Sequence, residues 1–260
     1  MVRGLEKFKE FFNDFADNYI IIGGTACEIH EETHAQTPRA TKDIDIIIVV
    51  EALTDEFVAK FWNFIKEGRY QQRHKGTVEG NRPCHEYYRF MRPEDSSFPY
   101  QLELFSRKLD LLNFPDDARI TPVPTDEDLS SLSAILMNDD YYHFTIYHSV
   151  LEDGIHIAAI ESLICLKCKA FVDLSERKLR GEQVDSRNIQ KHKKDVFRLA
   201  AMLAPADHFE IPTRIMEDIN SFISKVSEEK PNDDFFRSAG LQGLKADDII
   251  NQLKNCFSHD

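Results

Sequence analysis

The sequence predicts an α+β fold, a mixed sheet flanked by helices and followed by a helical C-terminal half. Three observations lead there. Isoleucine-rich runs, YIII and IDIIIVV, fall between amphipathic helical patterns in the first half. After residue 155 helical periodicity takes over. Between these stretches lies a polar, proline-bearing segment, PDDARITPVPTDED. Strands and helices mixed first, then helices alone, is the order of an α+β chain.

Leu5, Phe8, Phe11, Phe12 and Phe15 recur at helical spacing, so a helix opens the chain. Tyr19 to Ile22 suits a buried strand, which Gly23 and Gly24 end. A short helix starts near Thr25, an N-cap by residue type, and the segment around Pro38 is a loop. A second strand starts near Asp43, and Thr54 to Lys66 reads as a helix with Phe57, Phe61 and Phe64 on one side. Residues 84–91 and 100–106 read as strands, and so does YYHFTIYHS at 141–149. HIAAIESLICLKCKAFVDL is helical, as are 188–203, 212–227 and 243–257. The expected organisation is an α/β domain over 1–152 and a helical domain over 153–260.

A chain of 260 residues holds one large domain or two modest ones, and 42% hydrophobic with 30% charged residues is ordinary for a globular protein. No apolar run approaches the roughly 20 residues that span a bilayer. The opening MVRGLEKFKEFFNDF has no apolar signal core, so a cytoplasmic protein without a membrane partner is expected. Five cysteines, an odd count, argue against a disulfide framework. Cys165 and Cys168 form a C-x-x-C inside an apolar helical pattern, with no second pair, which fits buried thiols better than a zinc site. The net charge of −13 repels nucleic-acid backbone at long range. The basic residues between Arg177 and Arg198 are a local exception and read as a solvated helix surface.

Two metal signatures lie between residues 23 and 48. HEETH, His30 to His34, matches the H-E-x-x-H pattern of zinc peptidases. It is followed by AQTPRATK, so its helix ends within a turn of His34, and Glu28, Glu31 and Glu32 suggest a solvent-facing surface. The expectation is a polar helix end without zinc. Asp43 and Asp45 instead point to one face of a strand, because strand side chains alternate. Two carboxylates held side by side repel unless a cation sits between them, and magnesium favours such a pair completed by water and phosphate oxygens. Upstream, Gly23-Gly24-Thr25 makes a strand-to-helix turn whose backbone N–H groups can face a phosphate. Glu103, between Leu102 and Leu104, either completes a three-carboxylate metal site with Asp43 and Asp45 or lies on an exposed face of an edge strand.

Together these pieces resemble the nucleotidyltransferase superfamily that includes DNA polymerase β, whose pattern is a Gly-Gly/Ser turn, D-x-D on the next strand, and a later third carboxylate. The chain looks most like the AbiEii-like nucleotidyltransferases, many of them toxins of toxin–antitoxin pairs. Their Gly-Gly-Thr turn, arginine and T-x-D-x-D read here as Gly23-Gly24-Thr25, Arg39 and Thr41-Lys42-Asp43-Ile44-Asp45. Their helical half carries a lysine and a basic–Asp pair, matched by Lys167 and Lys194-Asp195, with Lys169 an alternative to Lys167. The similarity covers about 19–105 and 158–203; Thr25 to Asp43 is longer than usual, so HEETHAQTP reads as a loop insertion.

The resemblance implies a nucleotidyltransferase-type sheet and transfer of a nucleotidyl group from an NTP such as ATP to a hydroxyl of RNA, protein or a small molecule. It implies Mg²⁺ on Asp43, Asp45 and Glu103, and a nucleotide at Gly23, Gly24, Thr25, Arg39 and Lys42. Glu103 would share a second metal or accept the hydroxyl proton. Lys167 would face the phosphates, and Asp195 would orient it or the acceptor, the helical domain completing the cleft. A cognate antitoxin would be a partner. The alternative is a non-catalytic nucleotide-binding or interaction protein on the same fold.

Overall fold

The structure is a computed structural model that describes residues 2–72, 89–107, 120–123 and 132–259. It divides into two compact units. The first gathers Met1–Ile29, Arg39–Tyr142 and Ser149–Ala158, and the second His30–Pro38, His143–His148 and Ala159–Asp260. The change of composition near residue 152 falls at the tip of a β-hairpin of the first unit.

The elements of the first half are α1 (Leu5–Phe12), β1 (Tyr19–Ile22), α2 (Gly23–Thr33), β2 (Asp43–Ile48), α3 (Asp55–Gly68), β3 (Gln71–Gln72) and β4 (Arg89–Met91). Then come β5 (Gln101–Arg107), β6 (Ile120–Val123), β7 (Leu132–Met137), α4 (Asp139–Tyr147), β8 (Ser149–Glu152) and β9 (Ile155–Ala158). The strands form one mixed sheet in the order β3-β4-β5-β2-β1-β9-β8, with β7 pairing β5 and β6 pairing β7. β1 runs antiparallel to β2, and β2 parallel to β5. This is the mixed sheet with helices that the sequence predicts.

Phenylalanine spacing explains how the first unit closes. Phe8 and Phe12 of α1 and Phe57, Phe61 and Phe64 of α3 are all fully buried. Phe8 meets Phe64 edge-on at 5.8 Å, and Phe12 lies 5.8 Å from Phe57. Each such ring buries a large apolar area, and tilted or edge-on pairs add to it. α3 starts where Thr54 accepts the Phe57 N–H at 3.2 Å, a side-chain cap on an otherwise orphan donor. Tyr19 is the polar member of the cluster. Its ring is 5.2 Å from Phe8, and its hydroxyl is buried without a hydrogen-bond partner among the described residues.

In the second unit α5 (Ile160–Leu179) packs on α6 (Ser186–Ala200) and α7 (Thr213–Glu228). α8 (Asp233–Ser238) and α9 (Ala246–Cys256) follow, and β10 (Phe209–Ile211) pairs parallel with β11 (Phe257–His259). The helical C-terminal half is therefore present. Cys165 and Cys168 are buried, free thiols, and burial pushes both well up. In the basic stretch Arg177 and Arg180 reach Glu182, while Arg187 reaches Asp185, all at the surface, but Lys193 and Arg198 are buried, so the reading as a solvated helix surface holds only in part. No helix among the described residues is long and apolar enough to cross a membrane.

Several local readings change. YYHFTIYHS is mostly α4, not a strand. Asn138 accepts the Asp140 N–H at 3.0 Å, and Asp139 and Asp140 sit in the first turn, where the helix dipole favours them. Helix α5 starts only at Ile160, because Ile155–Ala158 is strand β9, paired with β8 and with Ile21 of β1. The β8–β9 turn has Asp153 at φ 47° and Gly154 at φ 79°, as an Asp-Gly hairpin turn requires. The opening helix stops at Phe12, and Phe15 lies in a 3₁₀ segment. Of HEETHAQTP, expected as a loop insertion, residues 30–33 continue α2, and the chain leaves the helix only from His34 on. Strand β6 interrupts the segment read as the loop PDDARITPVPTDED. The remainder of that segment, and residues 84–88 of the expected strand, lie outside the described residues.

A buried hydroxyl without a partner opposes folding, and its removal without change of shape is neutral or favourable. Tyr19→Phe is expected to leave stability unchanged or raise it by about 1 kcal/mol in urea unfolding. A marked loss of stability would show that the hydroxyl has a partner.

Candidate active site

The site-bearing end of β2 is built by strand alternation. Ile44 and Ile46 are fully buried on one face, whereas Asp43 and Asp45 on the other are only half-buried. Further along, Ile47 on that second face is also fully buried. The carboxylates therefore stand at the open end of a strand whose other end is core.

Register adds the neighbours. On one side Ile22, the last residue of β1, lies opposite Asp45, so α2 begins beside the carboxylate. Gly23 has φ +70°, and a Cβ there would collide with the Asp45 carboxylate. Gly24 is packed as tightly, because a Cβ there would lie 2.7 Å from the Thr41 hydroxyl and 3.6 Å from the Arg39 guanidinium. The two glycines thus let a helix start run against the strand that carries the acids. A helix N-terminus favours an anion, and Arg39 adds a positive charge beside it. Lys42 is exposed.

Thr25 is fully buried, and its hydroxyl donates to the Asp43 carbonyl at 2.7 Å. Its side chain positions the strand rather than facing a ligand. One turn on, Glu28 is buried and accepts the Thr41 N–H at 3.3 Å. Two side chains of α2 therefore stitch the helix to residues 41–43. The expectation that Glu28 and Glu31 mark a solvent-facing surface is overturned: each is nearly fully buried and bonded. His30 and His34 share a helical turn, with the His34 Nδ1 2.8 Å from the His30 carbonyl oxygen.

On the other side Glu103 of β5 lies directly opposite Asp45, and Gln101 opposite Asp43. Glu103 belongs to the same half-buried face as the two aspartates, with Leu102 and Leu104 fully buried behind it. On its far side it faces Arg89 of β4. The Arg89 Nε donates to Glu103 Oε1 at 2.8 Å, and a second guanidinium nitrogen reaches the same oxygen. Among the described residues no three His, Cys, Asp or Glu side chains converge as a metal cluster would. Asp43 and Asp45 still suit Mg²⁺, which binds through one or two carboxylates plus water and phosphate oxygens. Arg89 had no sequence signal; only the β4–β5 register reveals it.

The remaining residues expected at the site, Lys167 and Asp195, belong to the second unit. They form an ion pair of 3.1 Å between α5 and α6, with side chains 7% and 3% exposed. Lys169, the alternative lysine, is more exposed and pairs with Asp173.

No family model and no curated protein matches the sequence. Among solved structures the chain is similar to one from H. pylori, a protein provisionally assigned as a nucleotidyltransferase. The identity is 13% and the TM-score 0.32, over 96% of this chain and 89% of the other. Likeness at that level carries no functional argument.

Two outcomes follow. Gly23→Ala forces a side chain into left-handed backbone and against Asp45, so about 1–3 kcal/mol of stability should be lost. Thermal unfolding measures it, and an unchanged midpoint would mean that the turn relaxes freely. Breaking the buried pair with Lys167→Met or Asp195→Leu alone should destabilise by about 3–5 kcal/mol, since one buried charge is left uncompensated. The double substitution should recover most of that loss in denaturant unfolding.

Proposed function

We propose that the protein is a Mg²⁺-dependent nucleotidyltransferase that moves a nucleotidyl group from an NTP to an acceptor hydroxyl. The observation that carries the reading is the half-buried acid pair Asp43 and Asp45, set against a Gly-Gly helix start with Arg39 beside it. Like charges held together are unfavourable unless a cation sits between them, which a Mg²⁺–nucleotide site supplies.

Asp43 and Asp45 would hold Mg²⁺, which when bound supplies charge neutralisation on the phosphates. The Gly23–Gly24 backbone and Arg39 bind the anionic tail. Thr25 holds Asp43 in place through its carbonyl. The chemistry asks for positioning and charge stabilisation, and rigid strands and a tightly packed helix start supply both. The motif Gly23-Gly24-Thr25, Arg39, Thr41-Lys42-Asp43-Ile44-Asp45 extends the proposal to the AbiEii-like group, with an RNA end or a protein hydroxyl as acceptor and a role as the toxin of a toxin–antitoxin pair. On the same reading Lys167 and Asp195 take part in the transfer. The double variant Lys167→Met/Asp195→Leu tests that, losing transfer while the melting midpoint holds.

Calorimetry with each NTP should show binding that requires Mg²⁺ and is lost in Asp45→Asn. Incubation with labelled NTP, Mg²⁺ and total RNA or total protein should label one acceptor pool, and Asp45→Asn should label none. Equal nucleotide affinity in Asp45→Asn and the wild type would end the proposal. Mg²⁺-dependent binding with no labelled acceptor would favour the non-catalytic nucleotide-binding reading.

A further inference from the structure

We propose that Glu103 is the anchor of Arg89 and not a ligand of the metal, so that the metal site is the pair Asp43 and Asp45, and Arg89 is a second cation for the nucleotide phosphates. The inference rests on the nucleotidyl-transfer reading and assigns two residues within it.

The geometry starts from the register. Glu103 stands between two partners of opposite sign, Asp45 on β2 and Arg89 on β4, each directly across from it. Like charges directly opposite on adjacent strands repel, and opposite charges attract. The Glu103 side chain is turned to Arg89, with two N–H groups converging on Oε1. It is 12% exposed and Arg89 28%, so the pair is screened by protein as well as by water. A metal taken by the other Glu103 oxygen would sit beside the Arg89 guanidinium bound at Oε1, and like charges that close repel.

Mg²⁺ does not require the third carboxylate, because water and phosphate oxygens complete its shell. Arg89, by contrast, gains from Glu103. Two N–H donors on one carboxylate oxygen restrain the long side chain on the sheet face that carries the acids. A guanidinium restrained in this way presents a preorganised positive charge to a phosphate. Arg39 beside Gly24 and Arg89 beside Glu103 then flank the acid pair from its two sides along the sheet. Glu103 is a positioning residue in this arrangement.

The experiment uses the full chain, with Mn²⁺ alone as the metal probe and a non-hydrolysable nucleoside triphosphate with Mg²⁺ as the nucleotide probe. The informative variant is Arg89→Gln/Glu103→Gln, which removes the pair without changing the local net charge. It should bind Mn²⁺ like the wild type and bind the nucleotide about ten- to a hundredfold more weakly, as loss of a charge-assisted contact implies. Glu103→Asp keeps the charge and shortens the reach, so Mn²⁺ affinity should hold while nucleotide affinity falls. It also serves if the double variant does not fold. Loss of Mn²⁺ binding in either variant, to the extent seen in Asp45→Asn, makes Glu103 a ligand and overturns the inference while leaving the proposed function standing. Wild-type nucleotide affinity in both variants also overturns it. If Asp45→Asn binds Mn²⁺ as the wild type does, the two-aspartate site fails, and this inference with it.

Discussion

Asp45 and Glu103 face each other across parallel strands β2 and β5, and the repulsion between them governs what can stand nearby. Carboxylates about one strand spacing apart raise each other's energy unless positive charge or oriented dipoles offset them. The first unit supplies both. The start of α2 abuts Asp45, the Arg39 guanidinium stands near Gly24, and Arg89 holds Glu103 from the opposite strand. The apolar face behind the acids is fully packed, with Ile44, Ile46, Leu102 and Leu104 at zero exposure. Strand stability is thus supplied by one face, leaving the other free to carry groups that would destabilise a core.

The second unit meets a similar constraint differently. Some of its charges are inside. Arg198 is the clearest case: its guanidinium reaches Glu31 at 2.7 Å, the Thr37 carbonyl at 2.6 Å and the Ala239 carbonyl at 2.5 Å. One planar fork therefore joins the residues after Ile29, helix α6 and the end of α8 within that unit. Lys167 and Asp195 do the same for α5 and α6. Such pairs add little net stability over apolar residues of the same shape, yet breaking one is costly, so they select one packing over others.

Glu28 and Glu31 show why polarity alone misleads. In the sequence they sit close to Glu32 and resemble a wet helix face. In the fold Glu28 accepts the Thr41 N–H, and Glu31 takes Arg198, which lies far along the chain. A charge that finds a distant partner has no local signature. The reverse holds at YYHFTIYHS, where aromatic and β-branched residues suggest a strand. Capping by Asn138 and the helix dipole acting on Asp139 and Asp140 override that propensity.

By itself the sequence determined the isoleucine strands, the phenylalanine helices, the helical second half and the shared face of Asp43 and Asp45. All of these follow from side-chain periodicity within one segment. Only the tertiary structure decided that Glu103 stands opposite Asp45, that Arg89 stands opposite Glu103, and that Gly23 must lack a side chain because Asp45 occupies that space. It also decided that Ile155–Ala158 is a strand, through its pairing with β1. The physical reason is register. A strand's own residues fix which side chains share a face, but which residue of a distant strand lies alongside is set by pairing and packing across the whole sheet.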